Sequence, residues 1–219
     1  MLIFQLFDII SKLIILTMVS GTSIYFVLPV ICHVIFVKLK ISQLLSTDMY
    51  NRPPLSDIVI DNFIDLSRYR KFTELFLIPF LLPFISSIYG LSKIGYLLRI
   101  GVVFLAIRML TTVVTDIPSS TTECDMTKIP TWLLFLKGHC HDKIFSGHVG
   151  LAILLLLVSL KFNLITQDSL YYFIPYLLLY SFYTIASRNH YTIDVLLSYL
   201  IVIPIFKLIQ NHNLIIKGI

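Results

Sequence analysis

Apolar runs dominate the chain, and polar positions gather between them in short, sharply bounded stretches. Residues 13–37 lie between Lys12 and Lys38 with no charge inside, long enough at about 1.5 Å per residue to cross about 30 Å of hydrocarbon. Residues 38–71 turn polar. Asn51-Arg52-Pro53-Pro54-Leu55 breaks any helix there, and beyond it Asp57, Asp61, Asp65, Arg68 and Arg70 alternate with Ile58, Ile60, Phe63, Ile64 and Leu66, a pattern that predicts an amphipathic helix on the membrane surface. Further apolar segments cover 72–89, interrupted by Pro79 and Pro83, then 94–115, 147–161, 170–186 and 192–209. With the first run these predict an all-α membrane protein of six transmembrane helices, both termini on one side. Lacking repeats or linkers, residues 1–219 read as one domain with a catalytic core over about 50–210.

Composition agrees. The 219 residues are 57% hydrophobic and only 13% charged, about half the charged fraction of a soluble domain. The net charge of +5 is spread over loops and span ends without a dense basic patch, which argues against nucleic acid and for anionic headgroups. The first run is too long for a signal-peptide core and reads as a retained anchor.

Two polar islands carry the chemistry: Phe145-Ser146-Gly147-His148, and Ser187 to Asp194 with Arg188, His190 and Tyr191 inside it. Each sits at the edge of an apolar run. Two spans and a short connection separate them, which lets His148 and His190 meet at equal depth. His190 and Asp194 are four residues apart, the spacing at which a carboxylate orients an imidazole on one helix face. Ser146 is placed to cap the helix that begins at Gly147, leaving first-turn N–H groups for a phosphate. The pattern suits metal-free phosphoryl transfer: His190, held by Asp194, attacks phosphorus, and His148 handles the proton of the leaving and accepting oxygens. Arg188 would clamp a phosphate oxygen or anchor the interface. Arg108 lies within an apolar run, where an unpaired charge costs roughly 2.5–3.5 kcal/mol; it either snorkels or meets an acid or a phosphate inside the bundle.

Competing readings attach to the same residues. His190 with Asp194 could be an interfacial pair pinning a helix end, though that leaves His148 unexplained. His139, His141, Asp142, His148, His190 and Asp194 together would satisfy zinc, but the histidine spacings of membrane di-iron enzymes are absent. Glu123 and Asp142 would bind a cationic headgroup or shape the loop over 116–145. Trp132 and the tyrosines read as an interface belt. Cys124 and Cys140 share that loop, and both a disulfide and two free thiols fit the sequence.

These residues resemble a known family. Ser146-Gly147-His148 and His190-Tyr191-Thr192-Ile193-Asp194-Val195 resemble the two catalytic motifs of the sphingomyelin synthase and inositol phosphorylceramide synthase branch of the type 2 phosphatidic acid phosphatase superfamily. Arg108, Thr111, Thr115 and Pro118 fall in the spacing of the family's Arg-x-x-Thr-x-x-x-Thr-x-x-Pro run. Cys140-His141-Asp142 is similar to its Cys-Gly-Asp, with His141 in place of glycine, and Pro53-Pro54-Leu55-Ser56-Asp57 to its Pro-Pro-Leu-x-Asp. The resemblance implies a six-helix bundle that moves a phospho-headgroup (phosphocholine, phosphoethanolamine or phosphoinositol) from a glycerophospholipid to ceramide and releases diacylglycerol. It implies His148, His190 and Asp194 as catalytic, with Arg108, Asp142, Ser146, Gly147, Arg188 and Tyr191 around the phosphate and headgroup, and neither metal nor cofactor. Ser187-Arg188-x-His190 is closer to the inositol phosphorylceramide synthases of plants and protozoa. A lipid phosphate phosphatase or phospholipase C-like hydrolase, and a non-enzymatic lipid-binding protein, remain alternatives, and a homo-oligomer is left open. The implied compartment is Golgi, endoplasmic reticulum or plasma membrane, with the site lumenal or extracellular. The excess of Lys and Arg on the site-bearing side points instead to the cytosol; the length of the motif match outweighs that modest bias.

Overall fold

The computed structural model describes residues 53–86, 90, 93–115, 117–120 and 144–211. Among these the chain is helical throughout, with no strand: α1 (Ile58–Asn62), α2 (Ile78–Ile85), α3 (Ile94–Val114), α4 (Gly147–Lys161), α5 (Leu170–Ala186) and α6 (Thr192–Asn211), with 3-10 turns at Ser67–Phe72, Leu75–Leu77 and Gln167–Ser169. The run at 13–37 and the cysteines Cys124 and Cys140 lie outside the described residues, as do Glu123, Trp132, His139, His141 and Asp142.

The bundle is built around α4. A helix apolar on every side has no face to give to water and is buried all round. Val149, Ala152, Leu155 and Val158 of α4 are fully enclosed, and the helix touches each of α2, α3, α5 and α6. Its closest neighbour is α6, and Gly150 permits that approach: a Cβ there would press on the Phe145 ring at 3.0 Å and lie 3.6 Å from Val202.

Of the described helices, Thr192–Asn211 is both long and apolar enough to cross a membrane. With the composition, it makes the chain a membrane protein. Helix α4, at 15 residues, spans only about 22 Å.

Two predicted elements come out differently. Among the described residues of the segment over 72–89, regular α-helix covers Ile78–Ile85, about 12 Å long. Pro79 opens that helix and Pro83 interrupts it, while tertiary bonds hold the preceding residues in tight turns. The Tyr176 hydroxyl donates to the Phe76 carbonyl at 3.1 Å, Tyr183 donates to the Tyr69 carbonyl at 2.6 Å, and Phe76 stacks on Tyr183 at 4.4 Å.

The amphipathic pattern over 57–71 likewise forms no single helix. It divides into α1 and a 3-10 turn, because Phe63 is extended, the Asp65 carboxylate takes the Ser67 N–H at 2.8 Å, and the Leu66 N–H is donated to the Ala186 carbonyl at 2.9 Å. The apolar faces follow suit: Ile58 and Ile64 are exposed, while Ile60 is buried.

Candidate functional site

Both polar islands sit at helix N-termini that meet between α4 and α6. Ser146 caps α4, its hydroxyl accepting the Val149 N–H at 3.3 Å. Phe145, just before it, adopts a left-handed conformation with φ 70°, and Arg188 in the second island has φ 58°. Non-glycine residues reach that region only when surrounding contacts hold them there. For Phe145 the holding contact is its buried ring against Gly150; for Arg188 it is the side chain, whose Nε donates to Asp65 at 3.1 Å and whose Nη2 donates to the Ile60 carbonyl at 3.1 Å.

The islands are bonded directly to each other. The Ser146 N–H is donated to the Asp194 carbonyl at 3.2 Å, and Ser198 directs its hydroxyl to the carbonyls of Ser146 at 3.1 Å and Asp194 at 2.9 Å. Sequence reasoning passed over Ser198. Its signal is there, a small polar residue four positions after Asp194 within an apolar helix.

This seam brings the histidines together. The His148 and His190 rings lie with centroids 6.0 Å apart at 68°, edge to face. Asp194 Oδ2 stands 3.6 Å from His190 Nδ1 and accepts the Tyr191 N–H at 2.9 Å. Asp194 is wholly enclosed, and His190 is 4% exposed, so the carboxylate acts on the imidazole with little screening. His148 is half-buried. The His190 ring turns its Nδ1 to the carboxylate.

Arg108 of α3 completes the anion-facing surface. A Cβ placed on Gly147 would fall inside the Arg108 guanidinium, so the absent side chain is what lets the cation lie over the first turn of α4. The guanidinium is thereby set at a helix N-terminus, where N–H groups and macrodipole also favour an anion. One turn along α3, the Thr111 hydroxyl reaches the carbonyls of Arg108 at 2.9 Å and Ile144 at 3.3 Å, tying the cation's helix to the entry of the first island.

Arg188 is engaged elsewhere, on Asp65 and Ile60. The structure brings His148, His190, Asp194, Ser146, Gly147 and Arg108 together and gives the Arg188 side chain to the α1 edge instead; Asp142 lies outside the described residues. Tyr191 is buried, and its hydroxyl accepts the Leu55 N–H at 3.0 Å while directed at the carbonyls of Pro118 at 3.1 Å and Ser119 at 3.2 Å. Burial, chiefly, with Asp194, Asp57 and Asp61 nearby, raises its pKa against the lowering bond from Leu55, so Tyr191 stays protonated and serves as a tie.

Residues 139–212 match the family model described as PAP2 superfamily C-terminal, a span that contains both islands and the α4–α6 seam. That stretch is similar to the PAP2 superfamily. The chain is also 32% identical over 124 residues to a Trypanosoma cruzi (strain CL Brener) protein named phosphatidylinositol:ceramide inositolphosphotransferase. That alignment takes in 50% of this chain and 36% of the relative, so the chain spans little more than a third of the curated relative it matches. No solved structure matches.

Proposed function

We propose that this chain is a six-span lipid phosphotransferase that moves a phospho-headgroup from a glycerophospholipid to ceramide through a phosphohistidine on His190. The observation that carries the reading is the His148–His190 pair at 6.0 Å with Asp194 behind only one ring. Two imidazoles at that separation can both reach one phosphoryl group at near-attack distances of about 3–3.5 Å. A carboxylate beside one of them gives the two rings different roles.

In the first half-reaction His190 Nε2 attacks phosphorus, the P–O bond to diacylglycerol breaks, and His148 gives its proton to the departing oxygen. In the second, His148 takes the proton of the ceramide primary hydroxyl as that oxygen attacks phosphorus, and the P–N bond breaks. Arg108 and the first-turn N–H groups of α4 balance the charge on the phosphoryl oxygens. The name of the trypanosomal relative favours phosphoinositol as the headgroup, and the resemblance of the motifs favours a lumenal or extracellular site. Water in place of ceramide would make the same phosphoenzyme a hydrolase.

The test is transfer in vesicles that contain fluorescent ceramide and, separately, phosphatidylinositol, phosphatidylcholine or phosphatidylethanolamine. Wild type yields a phosphosphingolipid in the phosphatidylinositol series, and His190→Ala lowers kcat by at least about 10³-fold. Release of headgroup phosphate with no ceramide product would replace transferase by hydrolase. Undiminished turnover in His190→Ala would sink both.

A further inference from the structure

Asp57 lies outside the histidine pair, 135 residues before Thr192 in sequence, yet its carboxylate grips the strip that carries His190. Oδ2 accepts the Thr192 N–H at 2.7 Å and Oδ1 the Thr192 hydroxyl at 2.7 Å. The same Oδ1 accepts the N–H groups of Val59 at 3.0 Å and Ile60 at 3.2 Å. Asp61 braces it from behind, taking the Asp57 N–H at 2.9 Å and the Ser56 hydroxyl at 2.7 Å, and two residues earlier the Leu55 N–H is donated to Tyr191. The Pro-Pro-Leu-Ser-Asp segment is therefore bonded to residues 191 and 192, between His190 and Asp194.

Capping α1 does not account for this arrangement. A helix of five residues is too short to stand by its own propensity, so α1 depends on the clamp more than the clamp depends on α1. What the clamp removes is a competitor. Thr192 is the first residue of α6, and its N–H is among those a helix leaves without an internal acceptor. Asp194 sits in the same first turn and already holds the neighbouring Tyr191 N–H. With Asp57 absent, the Thr192 N–H would draw the Asp194 carboxylate toward the helix axis and away from His190 Nδ1.

We propose that Asp57 is a positioning residue: by occupying the Thr192 N–H and hydroxyl it keeps the Asp194 carboxylate on His190. The catalytic consequence rests on the phosphohistidine reading above, while the geometric one does not.

Asp57→Asn isolates the effect. Asparagine caps helices as well as aspartate does, and its carbonyl oxygen can keep the Val59, Ile60 and Thr192 hydroxyl bonds, but its amide then faces the Thr192 N–H, donor to donor. The full chain in lipid nanodiscs, labelled with ¹⁵N-histidine, reports the His190 tautomer without any turnover. Wild type holds the proton on Nδ1, and Asp57→Asn mixes the tautomers while the thermal midpoint stays within a few degrees. Vesicle assays give kcat lowered about tenfold, the equivalent of one hydrogen bond to a charged group, with KM within about twofold. Adding Thr192→Pro removes the competing N–H at a helix position that accepts proline, and restores both the tautomer and kcat. In an Asp194→Asn background, Asp57→Asn costs nothing further.

An unaltered His190 spectrum in Asp57→Asn, or a kcat loss that is undiminished in the Asp194→Asn background, would overturn the proposal. If wild type turns over no lipid, the phosphotransferase reading falls and the spectra alone decide the role of Asp57.

Discussion

Asp194→Asn tests the site at its most enclosed atom. The exchange keeps shape and removes charge, and the amide oxygen can still accept the Tyr191 N–H that Oδ2 accepts at 2.9 Å, so folding should lose only about 1 kcal/mol. The chemical loss is larger. A unit charge 3.6 Å from the ring interacts with a full imidazolium by roughly 4–5 kcal/mol at an effective dielectric of about 20. If the ring carries about half a charge when Nε2 bonds to phosphorus, about 2 kcal/mol of that acts on the barrier, or about 30-fold in rate. Losing the tautomer preference adds to this, and the analogous exchange in a Ser-His-Asp triad costs about 10⁴. The distance is longer than a formed hydrogen bond of about 2.7–3.2 Å, so a fall in kcat of about 10²–10³ is expected here, with KM little changed. The assay is single-turnover transfer in vesicles, with acid-quenched trapping of the phosphohistidine to follow its formation. A variant that forms phosphoenzyme at half the wild-type rate or faster would refute the claim that Asp194 acts on His190, whatever the lipid specificity.

Two further outcomes follow from other parts of the site. Gly147→Ala puts a methyl group where the Arg108 guanidinium lies; a flexible side chain can move aside, so the thermal midpoint should hold within a few degrees while kcat drops about 10-fold or more through loss of charge stabilisation. Full activity would mean that Arg108 does not work from that position. Below about pH 4 the fold should weaken through Asp57 and Asp65. Burial raises the Asp57 carboxyl, but the bonds from Thr192, Ile60 and Val59 outweigh it and hold it low; for Asp65 the Ser67 N–H leads and, with the Ser67 hydroxyl and Arg188, prevails over burial. Both therefore contribute stability above their unfolded values, lost as pH falls through the lower folded ones. Melting temperatures recorded from pH 7 to 3 should be level and then fall, with a shallower fall in Asp57→Asn and Asp65→Asn; an identical fall in the variants would rule these two carboxylates out.

The histidine pairing was legible because its signals are local. Ser146 before Gly147-His148 marks a helix start, Asp194 four residues after His190 marks a shared face, and apolar runs on either side leave only a few ways to bring two helix N-termini to one depth. The Arg108 placement was half legible: the cost of a charge in an apolar run demands a counterpart, but the space the guanidinium fills is opened by Gly147, recognisable only by the side chain it lacks. Residues 63–77 were not legible at all. Their 3.6-residue pattern is overridden by hydroxyls of Tyr176 and Tyr183 bonding backbone carbonyls about a hundred residues earlier, and no periodicity encodes such a bond. For the same reason the sequence left Arg188 between a phosphate clamp and an interface anchor and gave no sign of its bond to Asp65, 123 positions away.

What was hidden has a common physical cause, and it bears on how the site is held. An apolar helix such as α4 supplies a rigid wall but no directional bonds, so nothing in its packing alone sets the angle of His148 against His190. Direction comes from polar atoms at the ends: the Ser146 N–H on the Asp194 carbonyl, Ser198 between both carbonyls, and Asp57 and Tyr191 from the flank. Buried polar groups in such surroundings cost more unpaired than they return when paired. Each of these bonds therefore excludes alternative registers more than it adds stability, and the histidine geometry should be more sensitive to their loss than the fold is.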